Sequence, residues 1–242
     1  MASPPRALRH RDRGELVADA ASSLVDRLVE LQRGGATPQI ALSGDPLAYR
    51  VLAALVPQAV GSGLDASRLG VWWTDDAFVP TGSRQRHSLR VLSLLAGSLH
   101  FDPARIHPVP SSDAYPDPEA AAHAYAQDLA QTTLDICLLE LGPLGQVAGL
   151  FPGRRASMAD AAVGVTDAPD GAPERVSLGP ASINAAREVW VLASGPQVAG
   201  LVAASFAGAP NLPSARVGGR EQTWWFLDEP AASLLPFHTC AL

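Results

Sequence analysis

Apolar residues recur along this chain in two rhythms. Runs that are apolar on both parities, Gln39 to Leu42, Leu69 to Thr74, Leu134 to Leu141 and Val189 to Ser194, read as strands buried on both faces. Between them lie stretches with helical spacing. From Asp12, a residue suited to an N-cap, the positions Leu16, Ala20, Leu24, Leu28 and Leu31 recur three or four apart until Gly34 and Gly35. Further helices are predicted from Pro46, over Ser88 to Leu99, over Asp117 to Leu129 on the stripe Ala121, Tyr125 and Leu129, and after Ser194–Gly195. Arg6 to His10 and Ile106 to Val109 are short strand candidates, and Thr223 to Asp228 reads as a closing strand.

The repeated order of strand, glycine turn and helix predicts an α/β protein, one domain or two closely fused halves, with a single domain over 1–242 carried forward. Its form is a doubly wound, mostly parallel sheet with helices on both faces, Rossmann-like in kind. Ligands of such sheets bind in the turns after the strands. Two turns stand out on that ground: Ser43-Gly44-Asp45-Pro46, which leads into a helix start able to attract an anion, and Gly142 to Gly145 after the most apolar strand. In the first, Asp45 reads as an N-cap. Pro110 to Pro118 reads as an exposed loop. Arg154 to Pro173 lacks periodicity and is expected to be a mobile loop over the site.

Composition narrows the chemistry. With 242 residues and 47% hydrophobic content, the chain is long enough to remove roughly 70–75% of its unfolded surface from water. Its net charge of −6 speaks against nucleic acid as a partner. All 18 basic residues are arginine, which excludes a Schiff base, a P-loop lysine and a lysine general base. Cys137 and Cys240 form no disulfide framework. The arginines among residues 6 to 13 precede no apolar signal region, and no 18-residue apolar run occurs, so a cytoplasmic protein without a membrane partner is expected. A Gly-x-Ser-x-Gly elbow and clusters of His or Cys at ligand spacing are missing, which disfavours serine and zinc hydrolases. Neither a metal nor a cofactor is expected.

The stretch Leu134 to Gly153 resembles the signature of the 6-phosphogluconolactonase family: a strand, a Gly-x-Asp-Gly-His loop, then Ala-Ser-Leu-Phe-Pro-Gly. Gly142, Gly145, Ala148 and Leu150 to Gly153 match, while Leu144 stands where the family has aspartate and Gln146 where it has histidine. Four more segments resemble the family in the right order. Ser43–Gly44 falls in its Ser-Gly-Gly-Ser-Thr-Pro cradle, with Asp45 for the second glycine. Trp73, Asp75, Val79 and Pro80 match Trp-Gly-Asp-Glu-Arg-x-Val-Pro, with Asp76 for the glutamate and Ala77 for the arginine. Pro173, Arg175, Ser177 and Leu178 match a later strand. Trp225 and Asp228 fall in its Trp-x-x-Asp ending. A lysine that the family carries after Gly195 is replaced in register by Val198. The sister glucosamine-6-phosphate isomerases have Phe-Asn-Glu-Pro where this chain has Leu150 to Gly153, so the lactonase branch is closer.

The resemblance implies metal-independent hydrolysis of 6-phosphogluconolactone in the pentose phosphate pathway, by water that the histidine activates while basic side chains hold the phosphate. Gln146 cannot serve as that base. Asp75 is carried as a catalytic candidate beside the Gln146 position, with Ser43, Gly44, Asp76, Arg86, His87, Gly145 and Arg175 as substrate-binding candidates. Asp75, Asp76 or His87 would have to replace the base. Arg84, Arg86 and Arg90 stand either as substitutes for the missing arginine or as a solvated helix face, and Arg175 either as a substrate contact or in a surface ion pair. Three roles follow: a lactonase of weak or lost activity, a noncatalytic sugar-phosphate-binding or regulatory paralogue, or a structural descendant. A monomer with a sugar-phosphate small molecule as its partner is the simplest expectation.

Overall fold

The computed structural model describes residues 3–154 and 156–236; Cys240 lies outside the described residues. The first half of the chain runs β1 (Pro5–His10), α1 (Arg13–Arg33), β2 (Gln39–Leu42), α2 (Pro46–Ala59), β3 (Gly70–Trp73), β4 (Asp75–Ala77), α3 (His87–Leu95), β5 (Ile106–His107) and α4 (Pro118–Leu129). The second half runs β6 (Ile136–Glu140), β7 (Ala162–Val165), β8 (Arg175–Leu178), α5 (Pro180–Ala185), β9 (Glu188–Ala193), α6 (Ala199–Phe206), β10 (Gln222–Asp228) and α7 (Glu229–Ala232). No described helix is long and apolar enough to cross a membrane.

Seven strands form a parallel sheet in the order β1-β10-β9-β6-β2-β3-β5. This is the doubly wound α/β architecture that the strand and helix alternation predicts. At its centre, Ile136, Cys137, Leu138 and Leu139 of β6 are 0% exposed, each burial of a large aliphatic side chain stabilising the fold by about 1.5–3 kcal/mol. That is why β6 is apolar on both parities. The winding reverses between β2 and β6, so the crevice beyond their C-terminal ends, after Leu42 and Glu140, is where such a sheet receives ligands. The first helix begins as its sequence implies: the Asp12 carboxylate accepts the Glu15 N–H at 2.9 Å.

The structure departs from the sequence reading in the second sheet. β4, β8 and β7 form a three-stranded antiparallel sheet, so Asp75–Ala77 is a strand, and part of the expected mobile loop 154–173 is a strand too. Neither segment has a strand rhythm of its own. β7 is fixed by pairing with β8 and by close approach of α4: a Cβ on Gly164 would lie 2.6 Å from the Glu119 nitrogen. The Arg175 of β8 lies in the middle strand, and its partner is a buried carboxylate and not a surface charge. α3 and β5 are also shorter than expected.

Candidate active site

The turn after β6 is shaped by its glycines. Gly145 has φ 85° and Ala148 φ 52°, left-handed conformations that fold the loop back so that Val147 bridges both Leu141 and Leu150. Gly142 leaves room for the Gln146 side chain, since a Cβ there would lie 2.1 Å from it. The Gln146 amide is buried and held at both ends. Its Oε1 accepts the Leu144 N–H at 2.9 Å and its Nε2 donates to Asp170 at 3.3 Å. The loop also leans on the small sheet, where Gly149 N–H donates to Ser177 Oγ at 3.0 Å.

Opposite this loop lies a cluster of charges. Arg175 Nε donates to Asp75 Oδ2 at 2.9 Å, and its Nη2 donates to the same oxygen. Burial opposes the Asp75 charge, but Arg175 and then His87 outweigh it and hold the carboxyl below its usual range. Asp76 works differently. Its Oδ1 accepts the N–H groups of Ala77 and His87 at 2.9 and 2.6 Å, and its Oδ2 accepts Ser88 N–H and Oγ at 3.2 and 2.6 Å. It therefore caps the start of α3 and, with Arg86 at 3.3 Å, fixes where His87 emerges. Arg86 is buried and donates to the carbonyls of Val79 and Val109. The His87 side chain packs on Gly44, where a Cβ would come within 2.4 Å of the His87 Cβ. Its Nδ1 is buried without a hydrogen-bond partner among the described residues.

The turn after β2 completes the cluster. Ser43 Oγ donates to Asp45 Oδ2 at 2.9 Å and accepts the Asp45 N–H at 3.1 Å. Asp45 occupies the N-cap position of α2, yet its side chain makes no cap bond, which corrects the N-cap reading. Burial, then the charge of Asp75, push its carboxyl above the usual range. The cap comes from a residue that the sequence reading passed over. Glu140, the last residue of β6, accepts the N–H groups of Leu47 and Ala48 at 2.8 and 2.9 Å through Oε2. Burial, assisted by Asp45, pushes Glu140 up to about 7. The only sequence sign of it is a lone carboxylate ending an otherwise apolar strand.

The structure thus brings Ser43, Gly44, Asp75, His87 and Arg175 together. One turn links them to Gln146: Asp170 holds the Gln146 amide, and a Cβ on the adjacent Gly171 would lie 2.9 Å from Arg175 Nη1. Asp76 and Arg86 stand behind the cluster as supports. A cleft of about 290 Å³ opens at the crevice, lined by Arg13, Arg50, Glu140, Pro143, Ser194 and Gln197. A second cleft of about 290 Å³ borders the far part of the loop, at Gly149, Phe151, Arg154 and Val165; none of the predicted site residues lines either cleft. Among the described residues, no group of His, Cys, Asp and Glu is arranged to hold a metal ion.

Known proteins share both sequence and fold with this chain. Residues 11–225 match the family described as Glucosamine-6-phosphate isomerases/6-phosphogluconolactonase. The 6-phosphogluconolactonase of Streptomyces coelicolor is 38% identical, over 98% of this chain and 97% of its own length. That of Mycobacterium tuberculosis is 33% identical, over 91% and 94%. The structure of 6-phosphogluconolactonase from Trypanosoma cruzi superposes with a TM-score of 0.84 at 22% identity, covering 98% of this chain and 99% of that one, a likeness of fold. Matched along nearly its whole length, the chain belongs to the glucosamine-6-phosphate isomerase/6-phosphogluconolactonase family and is a 6-phosphogluconolactonase-like protein.

Proposed function

We propose that the protein binds a sugar lactone of the 6-phosphogluconolactone type at this crevice and hydrolyses it slowly, on the family's frame with a weakened chemical centre. The observation that carries this reading is the Gln146 amide. Held by Leu144 and Asp170, it orients a neighbour by hydrogen bonding but takes no proton near neutral pH. Loss of a positioned general base removes about 10²–10⁴ in rate. What remains is orientation in the crevice, with proton transfer left to a neighbouring side chain.

His87 is the candidate replacement base in this reading, because its Nδ1 has no partner among the described residues and it stands over the Gly44 turn. Asp75 is a weak base while Arg175 pairs with it. In the hydrolytic step His87 takes a proton from water and the hydroxide oxygen bonds to the lactone carbonyl carbon. The ring C–O bond then breaks and its oxygen takes the proton from His87, leaving the open-chain hydroxy acid. The reading calls for no cofactor or metal, and places the protein in the cytoplasm as a monomer. A noncatalytic, ligand-binding role is the second reading, favoured by the carboxylates of Asp45 and Glu140 at the start of α2.

The test is hydrolysis of freshly generated 6-phosphogluconolactone, corrected for its spontaneous opening. Turnover above background that His87→Ala removes, in a variant with unchanged circular dichroism, is the expected result. Gln146→His is expected to raise turnover by about 10²-fold. Background rates in both the unmodified protein and Gln146→His would replace slow hydrolysis by the noncatalytic reading.

A further inference from the structure

The crevice has the parts of an anion site. α2 runs for 14 residues from Pro46, and a helix start offers unpaired N–H groups and a partial positive charge. Two guanidiniums line the same cleft, Arg50 from α2 and Arg13 from the start of α1, the latter held by Ser194 Oγ at 2.8 Å. A phosphoryl group is the natural occupant of such a cleft. The chain instead seats its own carboxylate there. Glu140 Oε2 takes both the Leu47 and the Ala48 N–H, while Oε1 accepts no hydrogen bond from the described residues.

We propose that Glu140 is the specificity-determining residue of this cleft, a tethered anion that occupies the α2 amides and so weakens the cleft's hold on a phosphoryl group relative to its hold on the hydroxyls of a sugar acid or lactone. The inference rests on the reading that the sugar part of the ligand lies in this crevice. A phosphoryl group approaching Glu140 meets a like charge and finds the two best donors taken, whereas a hydroxyl group donates to the open Oε1. The groups around Glu140 set how firmly it holds. Asp45 opposes its charge and Arg13 favours it. Arg50 lines the cleft from α2. Asp75, His87 and Arg175 face Asp45, and Asp228 of β10 holds Ser194 from the far side. With burial pushing Glu140 up to about 7, the tethered anion weakens below neutrality and gains charge as the pH rises above it.

Calorimetric titration of the full chain with 6-phosphogluconate and with gluconate, in the unmodified protein and in Glu140→Gln, tests this. Glutamine keeps an acceptor for both amides and removes only the charge. At pH 8 the variant is expected to bind 6-phosphogluconate at least about tenfold more tightly and gluconate within about twofold of the unmodified protein. Lowering the pH to 6 is expected to bring the unmodified protein toward the variant, whose own pH response corrects for protonation of the phosphate. Shifts of the Leu47 and Ala48 amide resonances on adding 6-phosphogluconate to the variant would place the gain at α2. An unchanged ratio between the two ligands, or a variant that does not bind 6-phosphogluconate, overturns the inference. Glu140→Ala serves as a second variant if thermal unfolding shows that the first is misfolded. Absence of lactone turnover leaves the ratio readable, so failure of the hydrolytic reading and failure of this one are separate results.

Discussion

On the small sheet, Asp75 and Asp76 are 0% exposed and each faces a guanidinium, Arg175 for the first and Arg86 for the second. Across the crevice, Asp45 and Glu140 are half-buried and are met by a hydroxyl and by backbone N–H groups, without an ion-pair partner among the described residues. The consequence is opposite in sign: Asp75 is held ionised, while Asp45 and Glu140 are pushed toward their neutral forms. Depth alone does not decide the state of a carboxyl group. A directly bonded cation outweighs the loss of water, and a pair of neutral donors beside another carboxylate does not.

The sharpest way to break this comparison is to remove the cation. Arg175→Met leaves Asp75 buried and uncompensated, and is expected to cost about 3–5 kcal/mol in urea unfolding. Adding Asp75→Asn to that variant should recover a large part of the loss, because no buried charge is then left alone. A double variant as unstable as Arg175→Met would show that packing, and not charge, sets the cost. In the unmodified protein the contribution of Asp75 is present above the ordinary aspartate range and is lost as the pH falls through its depressed folded value.

Glu140 should behave in the reverse sense. Its folded value is raised from 4.5 to about 7, so over that interval the folded chain binds more protons than the unfolded one and stability falls as the pH rises. Glu140→Gln is therefore expected to stabilise the protein by about 1–3 kcal/mol at pH 8 and to have little effect at pH 4. Equal unfolding midpoints for the two proteins at pH 8 would mean that the amides compensate the charge fully. The smallest expected effect belongs to Ser43→Ala. Loss of its donated bond to Asp45 should cost about 0.5–1.5 kcal/mol at pH 8, and less at pH 4, where Asp45 is nearer neutrality. A cost that does not change with pH would assign the role of Ser43 to packing alone.

Much of the sheet was legible in the chain because a strand buried on both faces has no polar parity. Ile136 to Leu139 shows this, as does α1 with its Asp12 cap and its buried stripe from Leu16 to Leu28. β4 and β7 were not legible: Asp75-Asp76-Ala77 and Ala162-Val163-Gly164-Val165 become strands only by pairing with β8, far along the chain. In the site, the two glycine turns stood out from the residues, and the Arg175 position from the resemblance to the family. The functions of neighbouring charges did not. Asp75 and Asp76 are adjacent and identical in type, yet one meets Arg175 and the other caps α3.

The sequence by itself determined the alternation of strand and helix, the family, the absence of lysine chemistry and the amide at position 146. These are local properties: side-chain type, periodicity and the conformations that glycine allows. Only the tertiary structure decided that Glu140 rather than Asp45 caps α2, that His87 lies over Gly44, and that Arg175 is spent on Asp75. Those outcomes depend on which groups meet across the crevice and on how much water is left around them. A charge buried among donors and other charges takes its state from all of them together, and that sum exists only once the chain is folded.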